Sequence, residues 1–345
     1  MKGKIKVLGL VMILGFVTAV LMTNAPGWAQ KKPNPVAGDP AIVFISYSTW
    51  ARTDLMVMDA NGANAKMLLS GVKAPGYGFY NPQWSPNGEW IVLGRTDGEC
   101  TSTSEGIFLV KKDGTGLCQV GLMVNTPFMH GYPQWSPEAS RLIYSDSQPP
   151  IEWGSCFFML DAVCGAPYRV HVNHPLNGFF GSLTLSPDGN RMAASVSDEP
   201  VPPATEPTSG LFVYSMIRDE EGRWLEALPL IELTSAGPLK GAGLGGIDWA
   251  HDPIFDRFVV AASPVGQSQS ELYLISLNDP FNPVNISNTP DVSESSPCWS
   301  PLDDQIVYVR NDCIYKMNTD GSGQKVIATP ARGRRLCSPA WRHNQ

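Results

Sequence analysis

Two carboxylates raise the question of chemistry first. Asp248 and Glu294 stand shortly ahead of Trp249 and Trp299, on consecutive copies of one motif. Carboxylates brought together can act as general acid and general base, one protonated and the other ionised. At the corresponding places of the other copies stand Tyr80 and Asn81, His130 and Tyr132, Phe180 and Ser182, and Arg335, with Ser295 beside Glu294. A ring of aromatic and polar groups of this kind suits a peptide, a sugar or a partner loop. The same set reads equally as a plug, its buried polar groups paired with one another or with water.

Other chemistry finds less support. His171 and His174 are three residues apart, which on a strand sends them to opposite faces. Asp303-Asp304 occupies a turn position, and Asp219-Glu-Glu221 before Gly222 reads as a solvated hairpin tip; a calcium loop needs ligands spread over a longer stretch. Gly178-Phe-Phe-Gly-Ser182 does not match the Gly-x-Ser-x-Gly nucleophile elbow. Seven cysteines, with no Cys-x-x-Cys pair, favour structural use over zinc, and no metal or cofactor is expected. Cys156 with Cys164 would close a small loop, and Cys100 with Cys118 would staple neighbouring strands. Cys298, Cys313 and Cys337 lie close in repeat register, so two of them form a further candidate pair, and the odd total leaves at least one thiol unpaired.

The residues above are positioned by a repeat. Asn81-Pro-Gln-Trp-Ser-Pro-Asn-Gly88 returns as Pro133-Gln-Trp-Ser-Pro137, Leu183-Thr-Leu-Ser-Pro-Asp-Gly189, Ile247-Asp-Trp249, Pro297-Cys-Trp-Ser-Pro301 and Pro339-Ala-Trp341. Its six anchor positions, Trp84, Trp135, Leu185, Trp249, Trp299 and Trp341, are 51, 50, 64, 50 and 42 residues apart, a spacing of solenoids and propellers. Trp is a broad apolar plate for filling the space between sheets, and Ser-Pro-Asn-Gly is turn chemistry. A short β-type run follows each turn: Trp90–Leu93, Leu142–Tyr144, Met192–Ala194, Phe258–Ala261 and Ile306–Val309. With 33 glycines, 30 prolines and 17% charged residues, and no long amphipathic helical pattern, the class is all-β.

The two ends complement each other. Ile42–Ser46, Leu55–Met58 and Ala65–Leu69 match the later strands of a unit, and Pro339-Ala-Trp341 matches an opening strand. Joined, they close a ring of six four-stranded antiparallel blades and remove its exposed edges. The long gap before Trp249 is explained by an insertion at Glu199–Ser209. A second insertion is expected at Ser147–Pro167, carrying Cys156 and Cys164 on a projecting loop.

Residues 1–29 read as a signal peptide: Lys2, Lys4 and Lys6, the apolar run Val7–Met22, and Gly27-Trp28-Ala29 as the cleavage site, with an uncleaved anchor as the runner-up. Residues 30–40 form a flexible lead-in and 41–345 the single folded domain. Cleavage would take the net charge from −7 to −10, which disfavours nucleic acid as a partner because phosphate contacts need a basic surface. The expected location is periplasmic or secreted, with membrane contact only through an uncleaved segment, and the expected state is a monomer.

Trp84-Ser-Pro-Asn-Gly88, Trp135-Ser-Pro137, Ser186-Pro-Asp-Gly189 and Trp299-Ser-Pro301, each followed by an Ile/Val-rich strand and an Asp-Gly hairpin, resemble TolB-type repeats of the WD40-like (PD40) β-propeller class over residues 41–341. The resemblance implies a six-bladed periplasmic propeller. The family's additional N-terminal α/β domain has no room here, the third copy lacks Trp, and the fourth replaces Ser-Pro with Ala250-His251. The reading is an exported, non-enzymatic binding or scaffolding module with a protein partner or a small peptide or glycan ligand. The rival is an extracytoplasmic hydrolase or lyase acting on a glycan or peptide at the axial mouth.

Overall fold

The computed structural model describes residues 40–48, 53–71, 77–97, 106–122, 132–146, 156–161, 168–172, 178–198 and 209–343. All fall within one unit, Asn34–Gln345. Every anchor residue ends a strand: β4 (Tyr77–Trp84), β8 (Gln134–Trp135), β12 (Gly178–Leu185), β16 (Gly243–Trp249), β20 (Glu294–Trp299) and β24 (Arg335–Trp341). Each of these first strands pairs antiparallel with a second strand, respectively β5 (Trp90–Asp97), β9 (Arg141–Asp146), β13 (Arg191–Asp198), β17 (Arg257–Ser263), β21 (Gln305–Arg310) and β1 (Ile42–Tyr47).

The serine of the motif builds the turn between them. Ser85, Ser136 and Ser300 are buried, and each hydroxyl accepts the N–H five residues on: Trp90 at 2.9 Å, Arg141 at 3.0 Å and Gln305 at 3.0 Å. Ser186 does the same for Arg191 at 2.9 Å. The backbone turns through positive φ at Gly88 (67°) and Gly189 (65°), which is why glycine recurs there. These serines are structural: their hydroxyls satisfy buried backbone donors, which otherwise carry a desolvation penalty.

The third and fourth strands complete each sheet: β2 (Thr53–Met58) and β3 (Lys66–Leu69), β6 (Gly106–Lys111) and β7 (Cys118–Leu122), β10 (Cys156–Asp161) and β11 (Tyr168–Val172), β14 (Ser209–Arg218) and β15 (Trp224–Glu232), β18 (Glu271–Ser276) and β19 (Asp279–Asn285), β22 (Cys313–Asn318) and β23 (Lys325–Ala328). The second strands carry apolar runs, as in Ile42–Ile45, Ile91–Leu93 and Phe258–Ala262, and these runs are buried on both faces.

The expected joining of the chain ends holds at the level of pairing: β24 lies antiparallel beside β1, with Trp341 opposite Ile42. Two expectations are corrected. Six separate sheets were expected, but the described residues form five, four of them four-stranded and one eight-stranded. The larger sheet arises because the outer strand β11 pairs in parallel with β15 over His171–Glu226 and Val172–Ala227, in the first half of that nine-residue outer strand. Within it, β8–β11 and β12–β15 are each a four-stranded antiparallel array. The second correction concerns Ser147–Pro167, expected as an insertion loop. Cys156–Asp161 inside it is β10, paired residue by residue with β9, so the ladder takes this stretch as an ordinary third strand. Of the other expected insertion, Glu199–Ser209, Ser209 opens β14 and residues 199–208 lie outside the described residues.

The five anchor tryptophans are buried at 8% exposure or less. Where Leu185 stands in place of Trp, Trp224 of β15 supplies the plate, and its Nε1–H donates to the Gly189 carbonyl at 2.9 Å. Cations cover the tryptophans across the seams: Arg191 over Trp249 at 5.0 Å, Arg257 over Trp299 at 4.8 Å and Arg342 over Trp84 at 5.4 Å. First strands neighbour one another in chain order, β4 to β8, β12, β16, β20 and β24, and β24 also packs on β4. Sheets radiating in this way make an all-β propeller with four-stranded antiparallel blades.

Candidate functional site

Five of the six first strands share one irregularity. Their ladders slip between Tyr80 and Gln83, Phe180 and Leu183, Leu244 and Ile247, Ser295 and Cys298, and on β24 between Cys337 and Ala340. Each slip is a β-bulge, a device that leaves a residue unpaired and re-aims its neighbours. Asn81, Ser296 and Ser338 take positive φ there (45°, 51° and 48°), and each precedes a proline. Proline belongs at such a place because it has no N–H to give the ladder.

The bulges converge on one cavity of about 200 Å³, lined by residues from all six first strands or their approaches. Its polar groups are amides and hydroxyls: Asn81, Gln83, Tyr132, Gln134, Ser182, Ser195, Ser296 and Ser338. Gly181, Gly245 and Gly246 open the wall, and Leu183, Leu244, Ile247, Pro297 and Pro339 give it apolar surface. No carboxylate, lysine, arginine or histidine is among the described lining residues. Burial raises the Tyr132 pKa, so its hydroxyl stays protonated and able to donate. These amides and hydroxyls can hydrogen-bond a neutral group.

Of the residues expected at the axial mouth, Asn81, Tyr132 and Ser182 line this cavity. Tyr80 instead lays its ring across Gly94 of β5, where a Cβ would sit 2.0 Å from a ring carbon. Phe180 is core, edge-on to Tyr214 with ring centroids 6.2 Å apart. Arg335 is half exposed, its Nε 3.6 Å from Asp312. His130 lies outside the described residues.

The two carboxylates occupy different heights. Asp248 is one residue before its tryptophan and Glu294 five before, a difference of roughly 13 Å along parallel first strands at 3.3 Å per residue. Each also has its own structural work. Asp248 Oδ2 accepts the Trp299 N–H at 2.8 Å, and its carbonyl accepts the Trp299 indole N–H at 3.1 Å. Burial pushes its pKa up to about 6. Glu294, fully buried, accepts from the Thr289 hydroxyl and from Arg310 Nε at 2.9 Å. Burial raises its pKa, against the opposing pull of those partners. Both hold neighbouring elements together, and neither lines the cavity.

Asp303, read from the sequence as a turn residue, does more. Its carboxylate accepts the His251 N–H at 3.0 Å, His251 Nδ1 at 2.8 Å and the Asp252 N–H at 2.7 Å. Burial opposes its ionisation, yet these bonds hold its pKa below the ordinary carboxylate value. The fourth turn lacks the motif serine, and the next sheet supplies the acceptor. Cys118, Cys298, Cys313 and Cys337 are free thiols, so neither the expected Cys100–Cys118 staple nor the pairing considered among the last three is present. Cys298 is buried, and its sulfur accepts the Trp341 N–H. Cys100 and Cys164, and the side chain of Cys156, lie outside the described residues. Among those residues no group of three or more His, Cys, Asp or Glu is placed to hold a metal ion.

The cavity lining at Gln83, Gln134, Gly245-Gly246, Ser296 and Ser338 was not anticipated. A signal was present: proline recurs two residues before Trp84, Trp135, Trp299 and Trp341. Proline inside a strand marks a bulge, and a bulge re-aims side chains.

No protein-family model and no curated protein matches the chain. Solved structures do match it. TolB from Acinetobacter baumannii aligns with a TM-score of 0.61 at 18% identity, over 88% of this chain and 67% of that one. Hydrazine synthase of Kuenenia stuttgartiensis gives 0.64 at 13%, over 89% and 48%. A nidogen/laminin complex gives 0.56 at 10%, over 88% and 99%. At such identities the likeness is one of architecture, and the chain is a β-propeller of TolB-like fold.

Proposed function

We propose that the protein is an exported, non-enzymatic six-bladed propeller that binds a partner segment, or a small peptide or glycan, at its axial cavity. The observation that carries this reading is the convergence of all six first strands on a cavity walled by neutral amides and hydroxyls. The two candidate catalytic carboxylates meanwhile hold Trp299 and Arg310. A six-blade count follows if the eight-stranded sheet is two blades whose outer strands touch over two residues. Ring closure is supported by the β24–β1 pairing and by the packing of β24 on β4. The TolB-like fold and the nidogen/laminin complex make a protein partner a reasonable occupant. Export rests on the sequence of residues 1–29.

The test is crosslinked capture from envelope extract, comparing wild type with Gln134→Trp, which places a bulky ring in the cavity. Loss of a specific partner in the variant, at unchanged Tm, supports axial binding. Capture that is unaffected moves the binding surface elsewhere, and turnover of a glycan or peptide would favour the hydrolase or lyase reading.

A further inference from the structure

Two registers of the first strands meet the axial cavity unequally. The residues three places before the anchors, Asn81, Tyr132, Ser182, Gly246, Ser296 and Ser338, all line it. Of these only Asn81 and Tyr132, from the consecutive β4 and β8 repeats, are long, and the rest are glycine or serine. The residues one place before the anchors repeat the asymmetry. Thr184, Asp248 and Cys298 each accept the backbone N–H of the next anchor: Trp249 at 3.2 Å, Trp299 at 2.8 Å and Trp341 at 3.2 Å. The Gln83 and Gln134 side chains make no such bond, and both residues line the cavity.

Several polar groups are thereby left without work in the fold. The Gln83 and Gln134 carboxamides and the Tyr132, Ser182 and Ser296 hydroxyls bond to no other described residue. Ser182 is only 8% exposed, and a hydroxyl so buried calls for a partner from outside the chain, a ligand or water. Carboxamides and hydroxyls both donate and accept, as do the hydroxyls of a sugar. Leu244, Ile247 and Pro297 bring apolar surface from β16 and β20, which suits the C–H face of the same molecule. Size agrees: a cavity of about 150 Å³ holds benzene, so about 200 Å³ has room for one six-membered ring with substituents. An extended peptide is read along an edge or groove several residues long, more than this space contains.

We propose that the axial cavity holds a single neutral pyranose ring. Gln83, Gln134 and Tyr132 take its hydroxyl groups, and its C–H face lies toward β16 and β20. The two glutamines are the specificity-determining residues, because the long side chains of β4 and β8 give the otherwise small-walled ring of residues one polar side. This inference rests on the axial-binding reading and narrows its ligand to a sugar.

The experiment is saturation-transfer NMR on the full chain with the methyl glycosides of glucose, galactose and mannose, and separately with the capped tripeptide acetyl-Gly-Ser-Gly-amide. Wild type is compared with Gln83→Leu and Gln134→Leu, which remove a carboxamide and keep a side chain of similar size. At least one pyranoside should receive saturation from the wild type, and each variant should weaken its affinity at least about tenfold at unchanged Tm. Binding of none of the three pyranosides, or binding that both variants leave unchanged, would overturn the proposal. Saturation of the tripeptide alone, lost in Gln134→Leu, would overturn the sugar and leave axial binding standing. If neither probe binds and partner capture also survives Gln134→Trp, axial binding falls with it. Should a glutamine variant lose its fold, Ser182→Ala, a smaller change, is read in the same way.

Discussion

The turn after Trp84 and the turn after Trp249 do the same job by different means. In the first, Ser85 satisfies the Trp90 N–H from within its own turn. In the second, Ala250 has no hydroxyl and the loop back to Arg257 is two residues longer. Asp303 reaches across the seam and accepts three donors on that loop. Hydrogen bonds from the next repeat thus stand where a hydroxyl within the turn would otherwise serve. The regular turn is self-sufficient, whereas the degraded one ties two sheets together. Sequence degradation in a propeller can therefore raise coupling between blades.

Substitutions test that contrast in order of expected effect. Trp299→Ala removes the plate that both Asp248 and Arg257 engage, and should cost about 3–5 kcal/mol by chemical denaturation. A loss under about 1 kcal/mol would show that the seam repacks around the gap. Asp303→Ala strands two backbone donors and should cost about 2–4 kcal/mol. Ser85→Ala affects one turn only and should cost about 1 kcal/mol. Equal destabilisation by these two variants would erase the distinction between local and inter-sheet satisfaction.

The smallest effect is a pH dependence. The folded-state pKa of Asp248 is about 6, above the ordinary 3.8, so the folded chain binds this proton more tightly than the unfolded chain. The stability from that proton is present below about pH 4 and is lost as pH rises through 6. Asp248→Asn keeps an oxygen for the Trp299 N–H. The Tm of wild type relative to this variant should therefore fall between about pH 4 and pH 7. A difference that stays flat across that range would mean that Asp248 remains ionised in the folded chain.

Much of the fold was legible in residues. Trp-Ser-Pro-x-Gly encodes a buried plate, a hydroxyl for a turn and a positive-φ corner, and each of these is local chemistry. The pairing of the chain ends was legible because the missing strand of one end was present at the other. The cavity was legible only to within one or two residues: Asn81, Tyr132 and Ser182 reach it, whereas Tyr80 and Phe180 pack elsewhere. A bulge adds a residue to one strand, and beyond it the alternation of faces starts afresh. Repeat position alone brings Asp248 and Glu294 to adjacent copies, but it does not register their different distances from the tryptophan, one residue against five.

By itself, the sequence determined the class, the repeat, the turn chemistry and the identity of the strands that meet at the ends, because these depend on residues close together in the chain. The tertiary structure alone decided what depends on residues far apart. It set the union of β11 with β15, the rescue of the Ala250 turn by Asp303, and which side chains meet at the cavity. These arise from neighbouring repeats packed face to face, where one repeat's side chain completes the hydrogen bonds of another.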